Sequence, residues 1–157
     1  MAKHSAGLLL YRLREAGAEV LLVHPGGPFY TRKDEGVWSL PKGEIEPGED
    51  PLEVALREFE EELGLPAPIE RRALVELGSV RQKGGKIVTA WSAEADFDAT
   101  EVGGSSFRMA WPPQSGRLQE FPEVDRAGWF ALAEARVKLV SAQAELVDRL
   151  ATLLAER

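Results

Sequence analysis

The N-terminal quarter of the chain alternates between apolar runs and short polar breaks. Ser5–Arg12 (SAGLLLYR) and Ala18–His24 (AEVLLVH) predict buried strands, and Arg14–Gly17 between them predicts a hairpin turn. Pro25–Gly36 reads as a loop on its Gly and Pro content, and Val37–Leu40 as a short strand that ends at Pro41. A helix follows. Asp50 can cap it, Pro51 fits its first turn, Glu53 completes a capping pattern, and Gly64 stops it. At the helical repeat, Leu52, Ala55, Leu56, Phe59 and Leu63 share one apolar arc. Arg71–Val80 and Lys86–Ala95 predict two more strands around a turn at Gln82–Gly85, and Ile87, Thr89, Trp91, Ala93 and Ala95 fall on one face of the second. Asp96–Ala127 shows little periodicity and reads as a long irregular segment, a feature that is often functional. Gly128–Leu132 predicts a short strand leading into helices over Ala133–Val140 and Ser141–Arg157, the last with a stripe of Leu146, Leu150, Leu153 and Leu154. This order predicts a mixed sheet with helices packed on it.

Composition narrows the class. A chain of 157 residues predicts one domain spanning 1–157, with enough length for a real core. Hydrophobic content of 44% and charged content of 29% are ordinary for a soluble globular protein. No Cys is present, which excludes disulfides and Cys-based zinc sites, and His4 and His24 alone argue against a His-rich metal site. Ala6–Tyr11 is too short for a signal peptide's apolar region or a membrane span, so the expectation is a cytoplasmic protein with no membrane partner. The net charge of −7 argues against nucleic acid as a partner. An anionic substrate would need metal ions or a few placed Lys and Arg side chains. Oligomeric state has no signal in the sequence.

One segment strains against simple electrostatics. Gly43–Leu65 (GEIEPGEDPLEVALREFEEELGL) holds nine carboxylates in 23 residues, and Glu58, Glu60, Glu61 and Glu62 crowd the negative end of the helix. Glu58, Glu61 and Glu62 are related by i+3 and i+4 and can converge, while Glu53 and Glu60 point elsewhere. Each like-charge pair at this spacing costs roughly 0.2–0.5 kcal/mol, offset in part by Arg57 through Glu53 and Glu61. The arrangement reads either as a solvated acidic face or as a site for a divalent cation, since hard oxygen ligands suit Mg²⁺ or Mn²⁺.

The same segment resembles the Nudix hydrolase family. Its signature is G, five residues, E, seven residues, R-E, an apolar residue, any residue, E-E, any residue, G, an apolar residue. Gly43, Glu49, Arg57, Glu58, Phe59, Glu61, Glu62, Gly64 and Leu65 meet it without departure. The resemblance implies an α+β fold, a Nudix-type α/β/α sandwich with a mixed β-sheet between helices. It implies Mg²⁺- or Mn²⁺-dependent hydrolysis of a pyrophosphate bond in a nucleoside diphosphate linked to another moiety. On that basis Glu58, Glu61 and Glu62 are expected as metal ligands, with the Gly43 carbonyl as a further one, and Arg57 and Glu49 as braces of the loop and helix. The general base is Glu58 from inside the motif, or Glu120 or Glu123 from a distant loop. Lys42, in a PKG sequence similar to members that cleave dinucleoside polyphosphates, is expected to meet phosphate. Trp111 and Tyr30 are candidates to stack on a base, with Arg32 and Lys33 beside Tyr30, whereas Trp38 and Trp91 are expected in the core. The small-molecule partner is then a nucleotide or nucleotide conjugate. The competing reading is a Nudix-fold nucleotide-binding or regulatory module without turnover, against which the complete motif argues.

Overall fold

The computed structural model describes residues 3–100 and 102–157. In chain order the strands and helices are β1 (His4–Leu8), β2 (Tyr11–Arg14), β3 (Gly17–Pro25), β4 (Lys42–Glu44), α1 (Pro51–Leu63), β5 (Val75–Arg81), β6 (Ile87–Ser92), β7 (Ser106–Ala110), β8 (Leu118–Pro122), β9 (Val124–Ala131), α2 (Leu132–Lys138) and α3 (Ala144–Ala155). One sheet has the order β4-β1-β6-β5, a second β2-β3-β9, and β7-β8 is a separate hairpin. The β1–β6 pair is parallel and its neighbours in the sheet are antiparallel, so the sheet is mixed, as expected.

The continuous Leu runs of the N-terminal strands follow from burial on both faces. Leu8, Leu10, Leu21 and Val23 point to one core with Val54, Phe59 and Leu63 of α1. Leu9, Val20 and Leu22 alternate to the other, with Trp38, Leu139, Leu146 and Leu150 beside α2 and α3. The result is a helix, sheet, helix sandwich. Among the described residues no helix is long and apolar enough to cross a membrane.

Several boundaries differ from expectation. The first run breaks into β1 and β2 at Leu9–Leu10, where the chain passes from one sheet to the other. Val37–Leu40 is not a strand; it makes only isolated bridges, Ser39 to Val23 and Trp38 to Leu139. The paired strand is instead Lys42–Glu44, between the expected strand and the helix. The start of the predicted Arg71–Val80 strand is a 3-10 turn at Arg71–Ala73. The segment from Asp96 to Ala127 is not structureless, since it contains β7, β8 and the first half of β9. Most of β7 and β8 is exposed or half-buried, so no apolar alternation marks them.

Helix α1 begins and ends where its signals lie. The Asp50 side chain accepts from Glu53 N at 3.4 Å, and Gly64 closes the helix at φ 85°, its N–H donating to Glu60 O at 2.7 Å. Val54 joins Ala55, Phe59 and Leu63 in full burial, which turns the buried arc toward Glu58 and Glu62. Burying Phe59 and Leu63 contributes about 1.5–3 kcal/mol each, enough to outweigh the like-charge terms along the helix.

Candidate active site

Val54, Glu58 and Glu62 lie four residues apart on one line of α1. Because Val54 is buried, the two carboxylates below it are drawn to the edge of the core, against β4. There the backbone makes room for them. A Cβ built on Gly43 would lie 2.0 Å from Glu58 Cδ, so only glycine admits this approach. One residue earlier, Lys42 N donates to Glu62 Oε1 at 2.9 Å. Gly43→Ala should therefore displace Glu58 or β4 and cost about 1–3 kcal/mol, as overpacked sites do. The double variant Gly43→Ala with Glu58→Ala should regain most of that stability in a thermal melt, because it removes the colliding carboxyl. Equal melting of the single and double variants would place the strain elsewhere.

The other flank is a network around Arg57. Its guanidinium pairs with Glu49, and approaches Glu58 at 3.6 Å and Glu61 at 3.7 Å. Glu49 also accepts from Glu46 N at 2.9 Å, which ties the loop before α1 to the helix. Glu53 does not pair with Arg57 as expected; it and Asp50 meet Arg71, whose 3-10 turn brings a closer cation. At the C-terminal end, orphan carbonyls find donors. Ser105 N donates to Glu61 O at 2.6 Å and Gly103 N to Leu63 O at 3.3 Å. A Cβ on Gly104 would lie 2.2 Å from Glu62 O, so the loop packs directly on the helix end. Backbone N–H groups thus offset part of the negative pole that makes this crowding costly.

Burial pushes the Glu62 carboxyl up to about 8; the charges of Glu58 and Glu123 add to the rise, and Lys42 opposes it. Burial also raises Glu58, with Glu61 and Glu123 adding to it and Arg57 opposing. Burial lowers Lys42, while Glu62 and Glu58 pull it back and Lys86 lowers it further. The site is short of positive charge. Among the described residues, no three carboxylates are gathered closely enough to form a finished cation cage. Glu58 and Glu61 turn to Arg57 and Glu62 to Lys42 N.

The raised Glu62 has a consequence for stability. Its folded value lies above the ordinary value of about 4.3, so its contribution is full below that value and is lost as pH rises through about 8. In divalent-free buffer the melting temperature should fall from about pH 5 to about pH 8, and Glu62→Gln should flatten that fall. Comparing the two proteins isolates Glu62 from Lys42, Glu58 and Glu123, which face it. Parallel curves would remove Glu62 as the source.

The remaining candidates are unevenly distributed. Glu123, between β8 and β9, is among the charges acting on Glu58 and Glu62. Glu120, on β8, accepts from Ser106 Oγ at 2.6 Å and is not among those charges. Lys42 and Tyr30 line one cleft of about 290 Å³ with Val37, Gln82, Val140 and Gln143. Trp111 packs edge-on to Phe29 at 5.4 Å, outside that lining. The Lys33 ammonium lies 5.6 Å over the Tyr30 ring, while Arg32 is exposed. Trp38 is core, edge-on to Phe130 at 4.8 Å, and Trp91 is half-buried. Gln82 and Gln143 carried no signal in the sequence, because an amide in a turn or before a helix is ordinary there.

A mixed sheet between helices, with an Arg-braced acidic helix on a glycine strand, is the architecture of a known hydrolase class. The family model of the NUDIX domain matches residues 3–150, and the chain belongs to that family. Members of the family generally use divalent metal ions. The bis(5'-nucleosyl)-tetraphosphatase [asymmetrical] of Sus scrofa is 34% identical over 108 residues, covering 62% of this chain and 69% of that protein. The Mus musculus protein of the same description is 33% identical over 137 residues, covering 79% and 89%. Among solved structures, a C. elegans Ap4A hydrolase binary complex superposes with a TM-score of 0.65 at 25% identity, covering 99% of this chain and 100% of that one.

Proposed function

We propose that this protein hydrolyses a pyrophosphate bond of a dinucleoside polyphosphate, using Mg²⁺ or Mn²⁺ held by Glu58, Glu61, Glu62 and the Gly43 carbonyl. The observation that carries the reading is the cation-poor meeting of α1 with β4: burial and neighbouring acids raise Glu58 and Glu62, and Glu123 adds to the same field. Its donors are hard oxygens, the set that suits these metals. Bound there, the metal would neutralise phosphate charge and favour a nucleophilic water. The chain's own residues do the rest. Arg57 and Glu49 hold the loop to the helix, Lys42 meets phosphate, and Tyr30 borders the cleft for the nucleoside. Glu58 takes the proton of the attacking water, and Glu123 is the alternative base from outside the motif. The water oxygen bonds to a phosphorus of the polyphosphate, the bridging P–O bond on the opposite side breaks, and the phosphate beyond that bond leaves. Support for the substrate class comes from the tetraphosphatase relatives and from the Pro41-Lys42-Gly43 sequence. A cytoplasmic setting and a nucleotide partner belong to the same reading.

The test is a panel of diadenosine tetraphosphate, nucleoside triphosphates and ADP-ribose with Mg²⁺, followed by product chromatography. Diadenosine tetraphosphate should show the highest kcat/KM. A preference for ADP-ribose or a triphosphate would overturn the substrate class and leave the hydrolase assignment intact.

A further inference from the structure

Gln143 is fully buried, and every hydrogen-bonding group of its amide has a partner. Its Oε1 accepts from Leu40 N at 3.0 Å, and its Nε2 donates to Ser39 Oγ at 3.1 Å and to Gln82 Oε1 at 2.8 Å. A backbone N–H can only donate, so Leu40 fixes which end of the Gln143 amide is oxygen. Ser39 agrees with that direction, since its hydroxyl donates onward to Leu40 O at 2.7 Å. The polarity passes to Gln82: its carbonyl must turn inward to accept, which leaves its NH₂ outward. The Gln82 backbone cannot drift, because its N–H donates to Lys86 O at 2.6 Å and its carbonyl accepts from Gly85 N at 3.0 Å. The side-chain NH₂ has no protein partner among the described residues, and Gln82 is part of the lining of the cleft shared with Tyr30 and Lys42. At about 290 Å³, that cleft is at the small end of ligand sites and suits one ring system. Val37 and Val140 give it apolar walls.

We propose that Gln82 is a specificity-determining residue that donates a hydrogen bond from its NH₂ to a ring acceptor of a purine base, and that Gln143 is the positioning residue that fixes this polarity. The inference rests on the nucleotide-hydrolase reading above and adds to it the group that reads the base.

Two measurements test it. In the first, the side-chain amide of Gln82 is followed by NMR while adenosine monophosphate or ribose 5-phosphate is added. The amide should shift with the nucleotide and stay still with the baseless sugar phosphate. No shift with the nucleotide overturns the inference, whether or not the protein turns over any substrate. In the second, steady-state kinetics compare Gln82→Ala and Gln143→Glu on diadenosine and diuridine tetraphosphates. Gln82→Ala should raise KM for the adenine substrate about three- to tenfold, the worth of one neutral hydrogen bond, with kcat nearly unchanged. Gln143→Glu offers only acceptors to Gln82, so the Gln82 amide should reverse and the adenine-to-uracil preference should fall. A merely structural role for Gln143 would lower stability and leave that ratio as it was. If wild type cleaves neither substrate, the substrate reading fails and the NMR arm still decides the inference. If wild type prefers the adenine substrate and both variants keep its ratio and KM, the inference fails alone.

Discussion

Glu58→Gln, Glu61→Gln and Glu62→Gln should each lower kcat about 10²–10⁴-fold, the scale of a lost acid–base group or ligand. Glutamine keeps the size and removes the charge, so the helix should remain folded by circular dichroism. Glu62→Gln can keep its hydrogen bond from Lys42 N through the amide oxygen, which separates loss of charge from loss of contact. Glu60→Gln is the control. It sits on the same acidic run but, unlike Glu61, is not among the charges acting on Glu58 or Glu62 and meets no cation among the described residues, so it should leave kcat at the wild-type value. Glu123→Gln and Glu120→Gln divide the outside candidates. Glu123 acts on both Glu58 and Glu62, whereas Glu120 is tied to Ser106 on the β7–β8 hairpin. A rate loss in Glu123→Gln with an unchanged metal Kd would move the general base to that residue and leave Glu58 as ligand. Equal damage from Glu60→Gln and Glu61→Gln would falsify the assignment of the helix face.

The motif was readable because its constraints are local. Capping by Asp50, the stop at Gly64 and the helical repeat of the acids all act within a few residues, and each is seen in α1. The two strands Gly17–Pro25 and Ile87–Ser92 were legible for a similar reason: burial forces apolar side chains along them. What escaped depends on distant partners. The β4 strand is three residues of Lys, Gly and Glu, with no strand propensity; it exists because β1 pairs with it. The β7–β8 hairpin carries polar residues outward on both strands and buries little. Val54 falls on the acidic side of the ideal helical wheel, in line with Glu58 and Glu62, and is buried because α1 rolls toward β1 and β4. That roll puts Glu58 and Glu62, rather than Glu61, at the buried edge. Gln143 and Gln82 are 61 residues apart in the chain, so nothing local could pair them.

Removing divalent metal should abolish hydrolysis, and restoring Mg²⁺ or Mn²⁺ should recover it. The physical ground is the same charge deficit seen at α1. Burial and neighbouring acids raise Glu58 and Glu62; Lys42 opposes the rise at Glu62, and Arg57, which opposes it at Glu58, is shared among Glu49, Glu58 and Glu61. A divalent ion among these oxygens relieves repulsion that the folded chain bears and the unfolded chain, with its acids spread in water, does not. The metal should therefore stabilise the fold as well as switch on turnover. A ligand that binds only the folded state adds RT ln(1 + [L]/Kd), about 2.7 kcal/mol at a hundredfold excess over Kd. The melting temperature should rise with Mg²⁺ and stay nearly level with Na⁺ at matched ionic strength. Simple screening of the net charge of −7 predicts equal rises with both salts. Glu62→Gln separates the two explanations once more, because it removes one charge of the whole surface but a central one of the site. Its Mg²⁺-dependent rise should shrink well below that of wild type, whereas Glu60→Gln, with the same change in net charge, should keep the full rise. Full turnover of wild type in chelator-treated buffer, or identical melting shifts for the two variants, would separate the acidic helix from any cation and return it to a solvated surface.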